Sequence, residues 1–372
     1  MRPLAAAAVI VVAATLAGGC SGGGSEVTED ASLTVYVSLP LRGPSGAEGR
    51  DAADGARLAL TDAGDEAGGT AVSAEFLDDT EGAPGEARWT PAQAAANARA
   101  ATQDSTAIAY LGDFESGATR ASLPVTNAAR MLQVSPASAA GDLIAPSPGS
   151  DDVPETQPSG SRTFGRVIPS DRAQAEAGAG WVDELGFDRV GTQSDGTEFG
   201  DQMVAAFEQA LRGAAVVRAG VELLYYGGGP DLQPASLSET VDRLMVSDAE
   251  LAPGVFEPRG TLATSAALDP TQLPPVGKEF AGAFESAYGH RPGRYAAYGH
   301  EAMAVILDSI DRASDPADRP AVIEAFFETT DRDSVLGRYS ITTLGETTLD
   351  RMTGYELGPA QPKPIARIGG SG

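Results

Sequence analysis

The segment LGDFESGATRASLPV (111–125), with AIAYL (107–111) running into it and MLQVSPAS (131–138) behind it, decides the fold. Ala107–Leu111 is an apolar run of strand length that stops at Gly112. From Ser116 to Ala129 the apolar residues take helical spacing, with Pro124 as an interruption. Met131–Val134 is apolar again and opens into the hydroxyl-rich Ser135-Pro136-Ala137-Ser138. Strand, helix and strand in that order predict parallel strands joined by a crossover helix.

The same rhythm extends outward. Leu33–Leu39 reads as a strand, Ala52–Ala63 as a helix, Ala71–Leu77 as a strand, and Pro91–Ala101 as a helix capped by Thr90. Gly141–Ser161 breaks the pattern with Pro, Ser, Gly and Asp, and reads as a long exposed loop of disorder-prone composition, either padding or a lid. The rhythm resumes with helices at Ala173–Leu185, Gly200–Leu211 and Leu237–Met245, and strands at Arg189–Thr192, Val216–Val217 and Val221–Tyr226. Helices at Gly277–Tyr288, Tyr298–Asp311 and Pro320–Thr329 follow, then short strands and turns over Gly337–Leu357. The expected class is α/β, with doubly wound parallel sheets. A chain of 372 residues, 42% of them apolar, is long enough for two such lobes.

Charge narrows the partners. The formal net charge is −26, a surface that repels phosphate backbones and argues against nucleic acid. Arg dominates the cations, and Ala and Gly are abundant, the usage of a GC-rich, actinobacterial-like genome. An anionic ligand would need local donors. A helix start supplies them without a cation, through backbone N–H groups that lack an intrahelical partner. Ser116 is placed to cap such a helix start or to donate toward a ligand. Arg42, in the strand-to-helix loop PLRGPSG (40–46), is either a charge in a cleft or a solvated loop residue.

The single cysteine, Cys20, excludes an intrachain disulfide. Arg2, the apolar run Ala5–Ala17 and the small pair Gly18-Gly19 before it have the layout of a signal peptide, and the run is short for a membrane span. Leu16-Ala17-Gly18-Gly19-Cys20 resembles the lipobox of bacterial lipoproteins, which implies lipid on Cys20. Ser21–Ala31 (SGGGSEVTEDA) reads as a flexible tether.

Taken together, PLRGPSGAEG (40–49), DGARLAL (54–60), LGDFESGATRASLPV (111–125), VSPAS (134–138), RVIPSDRAQAEAGA (166–179), SDGTEFG (194–200), YYGG (225–228), YAAYGHEA (295–302) and LGRYSI (336–341) resemble the type I periplasmic binding proteins of the branched-chain amino acid group. The resemblance implies two lobes joined by three crossovers near Ser161–Arg166, Leu262–Leu268 and Ser334–Tyr339. The expected layout is a signal peptide (1–19), a tether (20–31), lobe 1 (32–162 and 266–335), lobe 2 (163–265 and 336–360) and a tail (361–372). It implies a ligand α-carboxylate on Ser116, with Ala118 and Thr119 in the same helix start, and an α-ammonium at the Ala137 carbonyl beside Ser138. Phe199 takes the place of a cleft aromatic and Asp248 that of the acid facing the ammonium. Arg42 and Glu48 complete the candidate site. Three positions depart from the family pattern: Ala139 lacks a hydroxyl, Glu48 replaces an aromatic, and Gly229 stands where an aromatic commonly follows YYGG. Glu48 and Asp248 together would favour a ligand with extra positive charge.

The function so implied is a lipid-anchored protein on the extracytoplasmic face of the cell membrane, monomeric and without a cofactor, that captures an amino-acid-like solute for ABC permease subunits. The alternatives are a sensor or scaffold lipoprotein of the same fold, or a degenerate site. Enzymatic chemistry is not expected. There is no P-loop or H-E-x-x-H, and no G-x-S-x-G or G-x-G-x-x-G that follows a predicted strand. His290 and His300 read as packing residues, and Asp78-Asp79 as a solvated turn.

Overall fold

The computed structural model describes residues 32–147, 149–229, 241, 243–251, 260–358 and 361–370. The signal-peptide, tether and Cys20 readings fall outside the described residues. Among the described residues, no helix is long and apolar enough to cross a membrane.

The first sheet runs in the order Glu66–Ala67, Thr70–Asp78, Leu33–Leu39, Ala107–Gly112, Leu132–Ser135, Phe164–Arg166. Every pairing is parallel except that of the two-residue strand Glu66–Ala67. All six residues of Ala107–Gly112 are buried, as a central parallel strand covered on both faces requires. The second sheet runs Ala215–Val216, Arg189–Ser194, Leu223–Gly227, Arg243–Val246, Thr261–Ser265, Arg351–Leu357, Lys363–Gly369, and its last two strands are antiparallel additions.

Helix starts follow the hydroxyl signals. The side-chain oxygens of Thr90, Ser170 and Thr197 accept from Gln93, Ala173 and Gly200 N–H at 3.1, 3.2 and 3.1 Å, so each satisfies a donor the helix leaves open. The helix Ala296–Arg312 packs on Gly46–Asp62 by reciprocal glycines. A Cβ on Gly55 would lie 2.0 Å from the Ala296 carbonyl oxygen, and one on Gly299 2.0 Å from that of Ala52. That close approach explains the glycine in YAAYGHEA. The next residue, His300, packs edge-on against Phe280 with ring centroids 4.9 Å apart.

Helices Pro275–Tyr288, Ala296–Arg312 and Arg319–Phe327 bury residues in the core of the first sheet, whereas Asp171–Leu185 and Glu198–Ala210 pack in that of the second. The chain therefore passes between the halves after Ile168, after Ser265, and between Ile341 and Arg351. The sequence-based limits assigned 163–166 and 336–341 to the second lobe. Packing puts them with the first: Phe164–Arg166 pairs with Leu132–Ser135, and Leu336, Tyr339 and Ile341 are buried in its core.

Three further expectations are corrected. Residues 361–370, read as a tail, form the edge strand Lys363–Gly369. The helix expected at Leu237–Met245 is contradicted where described, because Arg243–Val246 is a buried central strand whose apolar run had no distinguishing period. Gly141–Ser161 is pinned to the first half. Leu143 and Ile144 are buried beside Leu123 and Phe164, and Arg162 donates to the carbonyls of Asp151 and Asp152 at 2.8 and 2.7 Å.

At the first crossing Arg166 is fully buried, and its fork is filled. Nε donates to Glu346 Oε2 at 2.8 Å, the second nitrogen pairs with Glu346 Oε1, and the third donates to the Ser138 and Ala140 carbonyls at 3.1 and 2.8 Å. A buried guanidinium is tolerable only when so saturated. Arg166→Ala is expected to cost about 3–5 kcal/mol of unfolding free energy. Urea denaturation checks this, and a loss below about 1 kcal/mol would show that the pair does not support the crossing.

Candidate functional site

The carboxyl ends of the two sheets face one cavity of about 860 Å³, lined from both halves. Its first wall is the loop after Ala107–Gly112 and the helix Ser116–Ala128 that follows. Glu115 is the residue that precedes the helix, and its side chain does not cap it. Ser116 is the first helical residue rather than the cap expected. Its Oγ accepts from the Ala140 N–H at 3.2 Å, which ties the helix start to the Ser135–Ala140 loop and leaves the hydroxyl hydrogen for another acceptor.

Ser116, Ala137, Glu48, Phe199 and Asp248 all line the cavity. Phe199 stands in the helix Glu198–Ala210, directly after a strand of the second sheet. Asp248 follows Arg243–Val246 and accepts from Gln174 and Ser265, each at 3.2 Å. Burial raises its pKa, and the nearby Arg294 opposes the rise.

Ala118, Thr119 and Ser138 do not line the cavity. They are fully buried behind its wall. Thr119 and Ser138 share a hydroxyl–hydroxyl bond of 2.6 Å, Ser138 donates to the Asp113 carbonyl at 2.9 Å, and Thr119 accepts from the Asp113 N–H at 3.2 Å. Their place is in the support of the loop: helical periodicity turns Ala118 and Thr119 inward from Ser116, and Ser138 follows the strand Leu132–Ser135 beneath it. Arg42 is also outside the cavity. Its guanidinium pairs with Asp78 and donates to the Thr80 carbonyl at 2.7 Å, beside a smaller hollow of about 120 Å³. Glu48 is not a free charge, since Arg294 pairs with it.

The sequence reading missed several lining residues: Trp89, Phe114, Glu115, Asp171, Gln174, Arg294 and Tyr295. Trp89 comes from a two-strand hairpin, Thr80–Glu81 with Arg88–Trp89. Its ring lies on the helix start, where a Cβ on Gly117 would meet it at 2.3 Å. Phe114 and Tyr295 meet edge-on with centroids 4.6 Å apart. Phe114, Glu115 and Tyr295 lay inside motifs already singled out, while Trp89 had no local signal.

Asp78-Asp79 is not a solvated turn. Asp78 accepts from the Leu41 and Thr80 N–H groups at 3.1 and 3.0 Å. Asp79 is fully buried, and neither carboxylate oxygen reaches a donor on another residue. Burial, with the charges of Asp113, Asp78 and Glu115, pushes its pKa up to about 8.

Two parallel α/β halves with a cavity between their strand ends define a two-lobed ligand-binding architecture. A sequence profile of the periplasmic binding protein family matches residues 32–249, and the chain belongs to that family. No curated protein matches the sequence significantly. Solved structures share the fold. A leucine-binding protein from Thermotoga maritima is 21% identical with a TM-score of 0.70, over 90% of this chain and 98% of that one. An ABC transporter substrate-binding protein from Desulfitobacterium hafniense, in complex with Leu, is 19% identical with a TM-score of 0.73, over 90% and 100%. A transporter solute-binding protein from Rhodopseudomonas palustris, bound to 3,4-dihydroxybenzoic acid, is 14% identical with a TM-score of 0.70, over 91% and 97%.

Between about pH 4 and pH 8 the folded chain holds a proton on Asp79 that the unfolded chain releases. That contribution is therefore complete below pH 4 and is lost as the pH rises through 8. Asp79→Asn should be more stable than the parent by about 2–4 kcal/mol at pH 8, with the gap closing toward pH 4. Urea denaturation across that range checks it, and a gap that does not change with pH would assign the effect to packing.

Proposed function

We propose that this chain is an extracytoplasmic solute-binding protein, anchored through lipid on Cys20, that captures a small polar ligand of amino-acid type and delivers it to an ABC permease. The observation that carries the reading is the cavity lined from both halves, with the Ser116 helix start on one side and Asp171, Phe199 and Asp248 on the other. Unsatisfied N–H groups at a helix start favour a carboxylate without a neighbouring cation. Asp248 and the Ala137 carbonyl supply acceptors for an ammonium. A ligand that touches both walls stabilises the closed arrangement over the open one, so capture and hinge closure are one equilibrium. Among solved proteins of this fold, one was bound to Leu and another to an aromatic acid, which supports a small carboxylate-bearing ligand. The lobes that move are the two sheet halves, and the three crossings are the hinge.

A thermal-shift screen of the chain without residues 1–20 tests capture. A ligand at 100 times its Kd should add about 2.7 kcal/mol of stability. Ser116→Ala should weaken that ligand about tenfold, or about 1.4 kcal/mol. The chain has two tryptophans, and only Trp89 lines the cavity. A ligand-induced fluorescence change should therefore vanish in Trp89→Phe, and its persistence would place binding elsewhere. Anchoring is tested separately. Cys20→Ser should move the full-length protein from the membrane fraction to the soluble fraction, and an unchanged distribution would refute the lipid.

A further inference from the structure

The cavity carries more negative charge on its half-buried acids than its cations offset. Two arginines of its lining, Arg120 and Arg294, and the fully buried Arg166 behind it are each already paired with a carboxylate. Arg166 is held by Glu346, Arg120 by Asp142, and Arg294 by Glu48. Arg88 stands exposed at the rim. Among the described residues, this leaves Glu115, Asp171 and Asp248 without an ion-pair partner, as it does Asp269, which accepts from the hydroxyls of Thr271 and Tyr355 at 2.6 and 3.2 Å. Glu115 accepts only a neutral hydroxyl, from Ser45 at 2.9 Å, and Asp248 only the neutral groups of Gln174 and Ser265.

Glu115, Asp171 and Asp248 come from opposite walls. Glu115 belongs to the first half, at the Ser116 helix start. Asp171 begins the helix Asp171–Leu185 and Asp248 follows a strand of the second sheet. They also act on one another. Burial raises the pKa of each, and Asp248 adds to the rise at both Glu115 and Asp171, the latter reaching about 7. Glu48 adds repulsion at Glu115 and Asp248, and Asp142 at Asp171. Against this stand the charges of Arg294 at Asp248 and of Arg166 and Arg120 at Asp171, with neutral hydrogen bonds from Ser45 at Glu115 and from Gln174 and Ser265 at Asp248. Bringing the walls together therefore works against carboxylate repulsion unless something positive enters between them.

The apolar part of the wall suits such a group. Trp89, Phe114 and Tyr295 line the same cavity as the acids, and the Phe114 and Tyr295 rings are in contact. An aromatic face attracts ammonium and guanidinium through its quadrupole, more strongly where water is excluded. The acidic surface as a whole, at −26, also raises the local concentration of cations rather than of anions.

We infer that the ligand carries net positive charge, as an ammonium or guanidinium seated between Glu115, Asp171 and Asp248 and walled by Trp89, Phe114 and Tyr295. This rests on the cavity being the ligand site, as proposed above. It reassigns the charge preference suggested by Glu48, whose charge Arg294 already offsets, to acids that have no such partner. The cation also explains closure, since it removes the repulsion between walls of opposite halves.

Calorimetry on the chain without residues 1–20 tests it with six probes: L-arginine, L-lysine, putrescine, L-leucine, L-glutamate and 3,4-dihydroxybenzoate. At least one of the first three should bind at least tenfold tighter than each of the last three. Glu115→Gln and Asp171→Asn should each weaken the cation about tenfold with melting temperatures kept. If one variant fails to fold, the other and the salt dependence decide, since affinity for a cation should fall as ionic strength rises. Tightest binding by leucine, glutamate or the dihydroxybenzoate, lost in Ser116→Ala, would overturn the cation inference and leave solute capture standing. No binding by any of the six would overturn both.

Discussion

The buried pair of Arg166 with Glu346 is the interaction on which the rest of this structure depends. It sits where the chain first leaves the first sheet. Glu346 lies on the segment that returns to the second sheet, so one ion pair ties two of the three crossings together. The remaining donors of the same guanidinium hold the carbonyls of Ser138 and Ala140. Ala140 in turn donates to Ser116. A single buried side chain thus connects two of the crossings, the loop after Leu132–Ser135 and the helix start that forms one wall of the cavity. A guanidinium suits that place because its planar fork directs donors at several acceptors at once, which an ammonium cannot do in fixed geometry.

Beneath the first wall lies a second layer of hydroxyls around Asp113. Its backbone carbonyl accepts from Ser135 at 2.6 Å and from Ser138 at 2.9 Å, and its carboxylate pairs with Ser122 and Tyr110. Burial raises the Asp113 pKa to about 6, while donors from Ser122, Ser38 and Tyr110 oppose the rise. The consequence for function is rigidity. Thr119 and Ser138 use their hydroxyls to fix the loop, and so present Ser116 and Ala137 to the cavity without touching it themselves.

Electrostatics then distinguishes this cavity from a neutral amino-acid pocket. Apart from the exposed Arg88 at the rim, the arginines near it are committed to Glu346, Asp142 and Glu48, and the uncommitted acids come from both walls. On the inference that the ligand is a cation, that imbalance is what would couple capture to closure. The same logic accounts for Asp79 behind the Trp89 hairpin, a carboxyl kept in its neutral form by burial and neighbouring acids.

Much of the fold was legible in the order of short signals. Leu33–Leu39 and Ala107–Gly112 are apolar runs of strand length, Thr90 and Pro91 mark a helix start, and the strand–helix alternation implies parallel sheets; none of these needs a distant partner to be read. Of the residues that line the cavity, Ser116 and Ala137 stand at ends of such elements, while Phe199 and Asp248 were reached only through the family resemblance. What the sequence by itself determined was this local periodicity and the overall excess of acid. Only the tertiary structure decided which acid kept its charge unpaired, because Glu48 meets Arg294 across 246 positions of chain and Arg166 meets Glu346 across 180. It also decided that Trp89 reaches the cavity, that Lys363–Gly369 joins a sheet edge and that Arg42 turns to Asp78. Each of these is a contact between residues far apart in the chain or set by packing, and local patterns carry no information about such partners.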